Sequence, residues 1–241
     1  MEMTLNEKIS SLYIDAFDYD VCIKSSEHGG SCVVIGEKIG EDFENIRVEN
    51  GNLEIIRKKN NIFNKLFGNL GKNKRLTVML PEGKYESCTL KIASGDVDVN
   101  AGYCFGNMKV EVVSGDICID SVCVENDAEF SAVSGDIRSS NLSCSRLRVK
   151  NTSGDVSICG ATASECMSLE SVSGDVCPVD VLAGSLKLRT ISGDINGTLG
   201  KEYNYSVHSV SGTVSIPESM GERHCDIRTT SGDVKIKWSE Q

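Results

Sequence analysis

Ser94-Gly95-Asp96-Val97 is the first of eight related stretches. It returns as Ser114-Gly115-Asp116-Ile117, Ser134-Gly135-Asp136-Ile137, Ser153-Gly154-Asp155-Val156, Ser173-Gly174-Asp175-Val176, Ser192-Gly193-Asp194-Ile195, Ser211-Gly212-Thr213-Val214 and Ser231-Gly232-Asp233-Val234. Successive glycines lie 20, 20, 19, 20, 19, 19 and 20 residues apart. A period this regular marks stacked supersecondary units, none of which buries its apolar face alone.

Counting from each glycine shows what a unit buries. Five positions before it stand Leu90, Val110, Phe130, Val149, Leu169, Leu188, Val207 and Ile227, all apolar. The position seven before, from Cys88 and Met108 to Tyr205 and Cys225, is apolar too, and the position two after is always Val or Ile. Two before it come Ala93, Val113, Val133, Thr152, Val172, Ile191, Val210 and Thr230, β-branched in all but one unit. Alternation with period two and β-branched residues predict strands with one buried face. The step from five before to two before breaks that parity, so a bend or bulge is expected to bring both inside. The glycine is expected at positive φ, with serine and aspartate bonding turn amides.

These features predict an all-β chain, a parallel β-helix or β-solenoid of 19–20-residue coils. Each coil would lie about 4.8 Å from the next, giving eight of them a length of roughly 35–40 Å. The competing architecture is a β-sandwich whose hairpins share a turn motif. Hairpin repeats rarely keep one core residue per slot through so many periods.

Outside the regular coils the pattern weakens. With Tyr19 in the glycine place, Leu12, Ile14, Phe17, Val21 and Ile23 fill the core slots of a degenerate coil. Cys32–Ile35 reads as a strand, and Ile46, Val48, Leu53 and Ile55 around Gly51 read as a second imperfect coil. Arg57–Arg75 holds seven Lys/Arg and no acid, with Ile62, Phe63, Leu66, Phe67 and Leu70 near helical spacing. It is expected to be a loop or a helix over the solenoid end, or else a basic amphipathic helix for a headgroup layer or partner. Leu76–Leu80 forms a strand closed by Pro81 and Gly83. Residues 1–85 are therefore expected to be degenerate coils and a cap continuous with the solenoid, and 86–241 the regular repeats. At the far end Val234 and Ile236 face inward and Lys235 and Lys237 outward, a charged edge expected to resist further pairing. Trp238 is expected as a lid over the core or the centre of a symmetric contact, in a monomer or closed homodimer.

The run "LTVMLPEG" at Leu76–Gly83 and the "SGDV" repeats after it resemble the bacterial putative-adhesin family. That resemblance covers about residues 9–238. It implies an all-β repeat domain of no established activity, and Thr213 departs from its aspartate. It implies no catalytic or cofactor residues.

Composition narrows the function classes. The net charge is −10, and residues 86–241 carry 13 basic against 22 acidic side chains. An acidic body disfavours nonspecific nucleic-acid binding and attraction to anionic membranes. No stretch is long and apolar enough for a membrane span, and residues 1–8 lack a basic segment followed by an apolar one. Eleven cysteines scattered over several coil positions read as small core residues in a reducing compartment. A cytoplasmic setting is thus expected, or the cell surface if an export signal lies outside this sequence.

No catalytic constellation is evident. His28, His208 and His224 form no metal spacing, and Cys118/Cys123 and Cys159/Cys166 lack the tight pairing of a zinc site. If the coils stack in register, Asp96, Asp116, Asp136, Asp155, Asp175 and Asp194 form a column. Its neighbours would stand about 5 Å apart. They either accept turn amides and face water or hold calcium between coils. The sequence favours a noncatalytic solenoid presenting a face to an unknown protein or glycan surface, with no cofactor. A structural assembly element is the alternative, and a polysaccharide-active β-helix enzyme a weaker one.

Overall fold

In the computed structural model, residues 2–26, 31–36, 39–58, 74–100, 102–218 and 221–239 are described. The chain is a β-solenoid whose coils contribute one strand to each of two facing sheets. In the coil of Gly115, Tyr103–Ser114 lies in the first sheet and, after the turn, Ile117–Asp120 lies in the second. Stacking is parallel and in register: Val110 lies between Leu90 and Phe130, and Ile117 between Val97 and Ile137. Like slots thus face like slots, and the core is one continuous apolar column from Leu12 to Ile236.

The glycines are fixed by how closely the turns approach. A Cβ on Gly135 would stand 2.1 Å from the carbonyl oxygen of Gly115, and one on Gly154 would stand 2.2 Å from that of Gly135. The φ values of these two glycines are 119° and 132°, a region side chains resist. Gly193 lacks the positive φ, yet its Cβ would meet Gly174 O at 2.2 Å.

The residue two before glycine does not enter the core. Val113, Val133, Val172, Ile191 and Val210 are 54%, 51%, 45%, 54% and 70% exposed. No bulge brings them inward; strand parity holds and the position three before glycine is buried instead. Ile92, Val112 and Ala132 fill it first, then Asn151, Ser171, Thr190 and Thr229. These polar side chains are tolerated because each donates to the glycine carbonyl of the neighbouring coil. Asn151 Nδ2 reaches Gly135 O at 2.8 Å, and Thr190 Oγ1 reaches Gly174 O at 2.9 Å.

Both ends depart from sequence order. The coil of Gly232 inserts between those of Gly193 and Gly212: Arg223–Ser231 pairs with the strand ending at Arg189 on one side and with Tyr203–Ser211 on the other. Val234–Trp238 likewise lies between Ile195–Leu199 and Val214–Ser215. Lys235 and Lys237 are therefore on an internal strand, not an edge. Trp238 is not a lid over the open end of the core; it pairs with Leu199 within the sheet, and the Lys201 ammonium lies 5.0 Å over its ring. Among the described residues the outermost coil is that of Gly212.

At the other end the degenerate coil is present in the expected register, with Leu12 beside Cys88, Ile14 beside Leu90 and Val21 beside Val97. Here Ala16 is buried and Phe17 is exposed, repeating the parity of the regular coils. This coil is also internal, since Asn52–Arg57 and Lys74–Leu80 flank it on the outside. Around Gly51 there is no coil but an antiparallel hairpin, Phe43–Glu49 against Asn52–Arg57. Asn50 and Gly51 at φ 51° and 79° turn it, the pair that a two-residue hairpin loop favours. Antiparallel strands Cys32–Gly36 and Glu2–Leu5 extend the second sheet. Arg57 is buried and ion-paired with Asp18 and Asp42. The helix considered for Arg57–Arg75 falls almost wholly on residues 59–73, outside the described residues.

Two outcomes check this architecture. Gly154→Val should lower unfolding stability by about 1–3 kcal/mol, read from denaturant midpoints at unchanged m-value. For the coil order, Asn196 lies opposite Lys235. An Asn196→Cys/Lys235→Cys variant should therefore form that cross-link under mild oxidation, located by peptide mapping. Asn196→Cys/Ser215→Cys should not, whereas coils stacked in sequence order would reverse the two results.

Candidate functional site

The turn aspartates form a directional ladder. The amide of each turn donates to Oδ1 of the aspartate in the adjacent coil. Asp116 N reaches Asp96 at 2.9 Å, Asp136 N reaches Asp116 at 2.8 Å, and Asp155 N reaches Asp136 at 2.9 Å. Asp175 N to Asp155 and Asp194 N to Asp175 continue the series at 2.8 and 2.7 Å. It then skips in sequence: Asp233 N donates to Asp194, and Thr213 N donates to Asp233, both at 2.7 Å. Thr213 stands last in space, with no further described coil amide for a carboxylate to receive. Arg138 bridges two members, its Nη1 lying 3.2 Å from Asp116 Oδ2 and its Nη2 2.5 Å from Asp136 Oδ2. Among the described residues no three His, Cys, Asp or Glu side chains are grouped to hold a metal ion.

The larger feature lies on the outer face of the first sheet. Because parity turns the residues two and four before glycine outward, they form two parallel rows along the solenoid. Between them runs a groove of about 690 Å³. One row is Val133, Thr152, Val172, Ile191, Thr230 and Val210, exposed and mostly apolar. The opposite row is Ser131, Lys150, Glu170, Arg189, Arg228 and His208. Its charges are largely satisfied within the wall. Lys187 Nζ lies 2.7 Å from Glu170 Oε1, and Arg228 Nε and Arg189 Nη2 lie 3.0 and 3.5 Å from Asp226 Oδ2. Burial alone would raise the Glu170 pKa, but hydrogen bonds from Lys187 and Ser168 outweigh it and hold the carboxyl below its usual range. Asp226 is likewise lowered, burial being outweighed by Arg228 and Arg189. Carboxylates held ionised in this way are poor proton donors, and a glycosidase acid needs the opposite shift.

The histidines do not converge: His208 stands on the groove wall, His224 lies on the adjacent coil, and His28 is outside the described residues. One thiol pair does come together, Cys104 and Cys123, with sulfurs 3.1 Å apart on paired strands. Burial first, then the neighbouring Cys123 thiol, pushes Cys104 up to about 11, leaving little thiolate at neutral pH. The one-residue shift within the 19–20-residue repeat hides this pairing until the coils are stacked.

The ladder gives an asymmetric expectation. Asp136→Ala removes the acceptor for an adjacent coil and should cost about 1 kcal/mol. Thr213→Asp should stay within about 0.5 kcal/mol of the parent, because nothing donates to it. Millimolar calcium should raise Tm by less than about 2 °C, since each Oδ1 already has its donor. Thermal melts with and without calcium read all three, and saturable calcium binding lost in an Asp136→Asn/Asp155→Asn variant would contradict the last.

Comparison with known proteins places this geometry. A protein from Bacteroides fragilis named a putative adhesin shares the fold at TM-score 0.64 and 13% identity, over 98% of this chain and 96% of that one. A Parabacteroides distasonis protein named a putative lipid binding protein superposes at 0.56 and 15% identity, over 100% and 96%. A putative adhesin from the same species superposes at 0.52 and 12%, over 98% and 96%. No curated protein matches the chain. The family described as Toastrack DUF4097 matches residues 9–240, and the chain belongs to that family.

Proposed function

We propose that this protein is a noncatalytic binding module whose working surface is the outer groove, and that it takes an extended protein segment with an apolar edge. The observation behind this reading is the exposed row of Val133, Val172, Ile191 and Val210. Exposed aliphatic side chains lined up in this way, with Thr152 and Thr230 between them, are costly to leave in water and mark interaction sites. The fold positions it without effort, since each coil adds one side chain to the row. A wall whose charges are already paired offers polar contacts at the rim while the apolar row supplies the affinity.

A glycan face is less well served, because sugar rings stack on aromatic side chains and this row has none. The names carried by the Bacteroides and Parabacteroides proteins, a putative adhesin and a putative lipid binding protein, support a binding role in general without specifying the ligand. Among the described residues no helix is long and apolar enough to cross a membrane.

Selection from a displayed random-peptide library, run beside a glycan array, tests the reading. Peptides with recurring apolar residues should be retained by the parent protein. They should be lost at least tenfold in a Val172→Asp/Ile191→Asp variant whose Tm is within a few degrees of the parent. Retention of glycans alone, or peptide binding indifferent to that substitution, would remove the groove from the function.

A further inference from the structure

The coil of Gly212 is built unlike the others. Its inward residues are incompletely covered: Tyr205, Val207 and Ile216 are only partly buried, and Val214, in a slot fully buried elsewhere, is 44% exposed. Tyr203–Ser211 pairs on one side, with Arg223–Ser231, and no other described strand lies along its outer edge. From Tyr203 to Pro217 there is no Asp, Glu, Lys or Arg, in a chain that is 25% charged. Edge strands ordinarily carry charge, proline or a cover that blocks pairing. This one carries no charge and no proline along its length, and among the described residues no strand covers it.

The opposite end shows the contrast. Its outer strand Phe43–Glu49 carries Glu44, Arg47 and Glu49, and its other sheet ends on the short antiparallel strand Glu2–Leu5. An uncharged edge would desolvate those charges if it docked there. The missing carboxylate at Thr213 adds a second restriction, because another parallel coil would meet a shorter hydroxyl in place of the Oδ1 that receives the turn amide in the other coils. Head-to-tail growth is therefore disfavoured on both counts.

We infer that the Tyr203–Val214 coil docks on the same coil of a second copy, in a closed, two-fold antiparallel contact. An axis normal to the two sheets lets both edges pair at once, inward side chains staying inward in each copy. The half-open cores around Val207 then join across the axis. Like edges meet without opposing charges, which makes the contact self-complementary. It leaves the groove on the outer face free.

Sedimentation of the full chain tests this. The parent should sediment at twice its 26.0 kDa mass, with a micromolar dissociation constant. Ser206 and His208 are exposed and face outward on the edge strand. Ser206→Asp/His208→Asp should weaken self-association by at least about tenfold through like charge across the axis. An equimolar mixture with Ser206→Lys/His208→Lys should restore a dimer of unlike copies. A monomeric parent, species growing beyond the dimer, or an acidic variant that still dimerises would each overturn the proposal. Hydrogen exchange on the parent keeps the test open if a variant unfolds. Amides of Tyr203–Ser211 should exchange more slowly as concentration rises, and exchange independent of concentration would also overturn it.

Discussion

The carbonyl oxygen of one turn glycine occupies the place where the next glycine's Cβ would be, and this close approach governs the remainder of the molecule. It brings the turn amide of one coil onto the aspartate Oδ1 of its neighbour and fixes the coils in register. With register fixed, side-chain parity is fixed too. Residues seven, five and three before glycine then build the core, while those four and two before it line a groove. The ladder and the groove are two consequences of one steric constraint.

Much of this is legible in the sequence because the period and the slots leave few alternatives. The degenerate first coil illustrates it: Tyr19 takes the glycine place without the turn motif, yet Leu12, Ile14 and Val21 still align with Cys88, Leu90 and Val97. The position two before glycine misleads, because β-branched residues suit a strand on either face. Asn151, Ser171, Thr190 and Thr229 hide the true core position, since polarity suggests solvent. Only the glycine carbonyls they reach explain their burial. The coil expected around Gly51 is instead a hairpin, because Asn50 and Gly51 together are the pair that a two-residue hairpin loop favours.

The swapped order at the far end did leave a trace. Thr213 interrupts the aspartate series in the coil before the last, which is odd if coils stack in sequence and reasonable if that coil is outermost. Strict period-two alternation places the groove, but reading the β-branched residues two before glycine as core conceals one of its two rows. The uncharged run from Tyr203 onward is equally plain in the sequence, but its meaning depends on knowing that no other described strand lies along its outer edge.

The tucked-in coils also bear on how the protein is assembled as it is synthesised. A solenoid stacked in sequence order can grow coil by coil as it leaves the ribosome, each new strand adding to the edge left by the last. Here the Gly212 coil emerges before the Gly232 coil on which it must rest. Until that later segment arrives, the Gly193 coil keeps an open edge and the emerging outer coil has no proper seat. Vectorial growth thus pauses one coil short. The final step joins three coils together, which makes the C-terminal end a cooperative unit rather than a sum of nearest-neighbour additions.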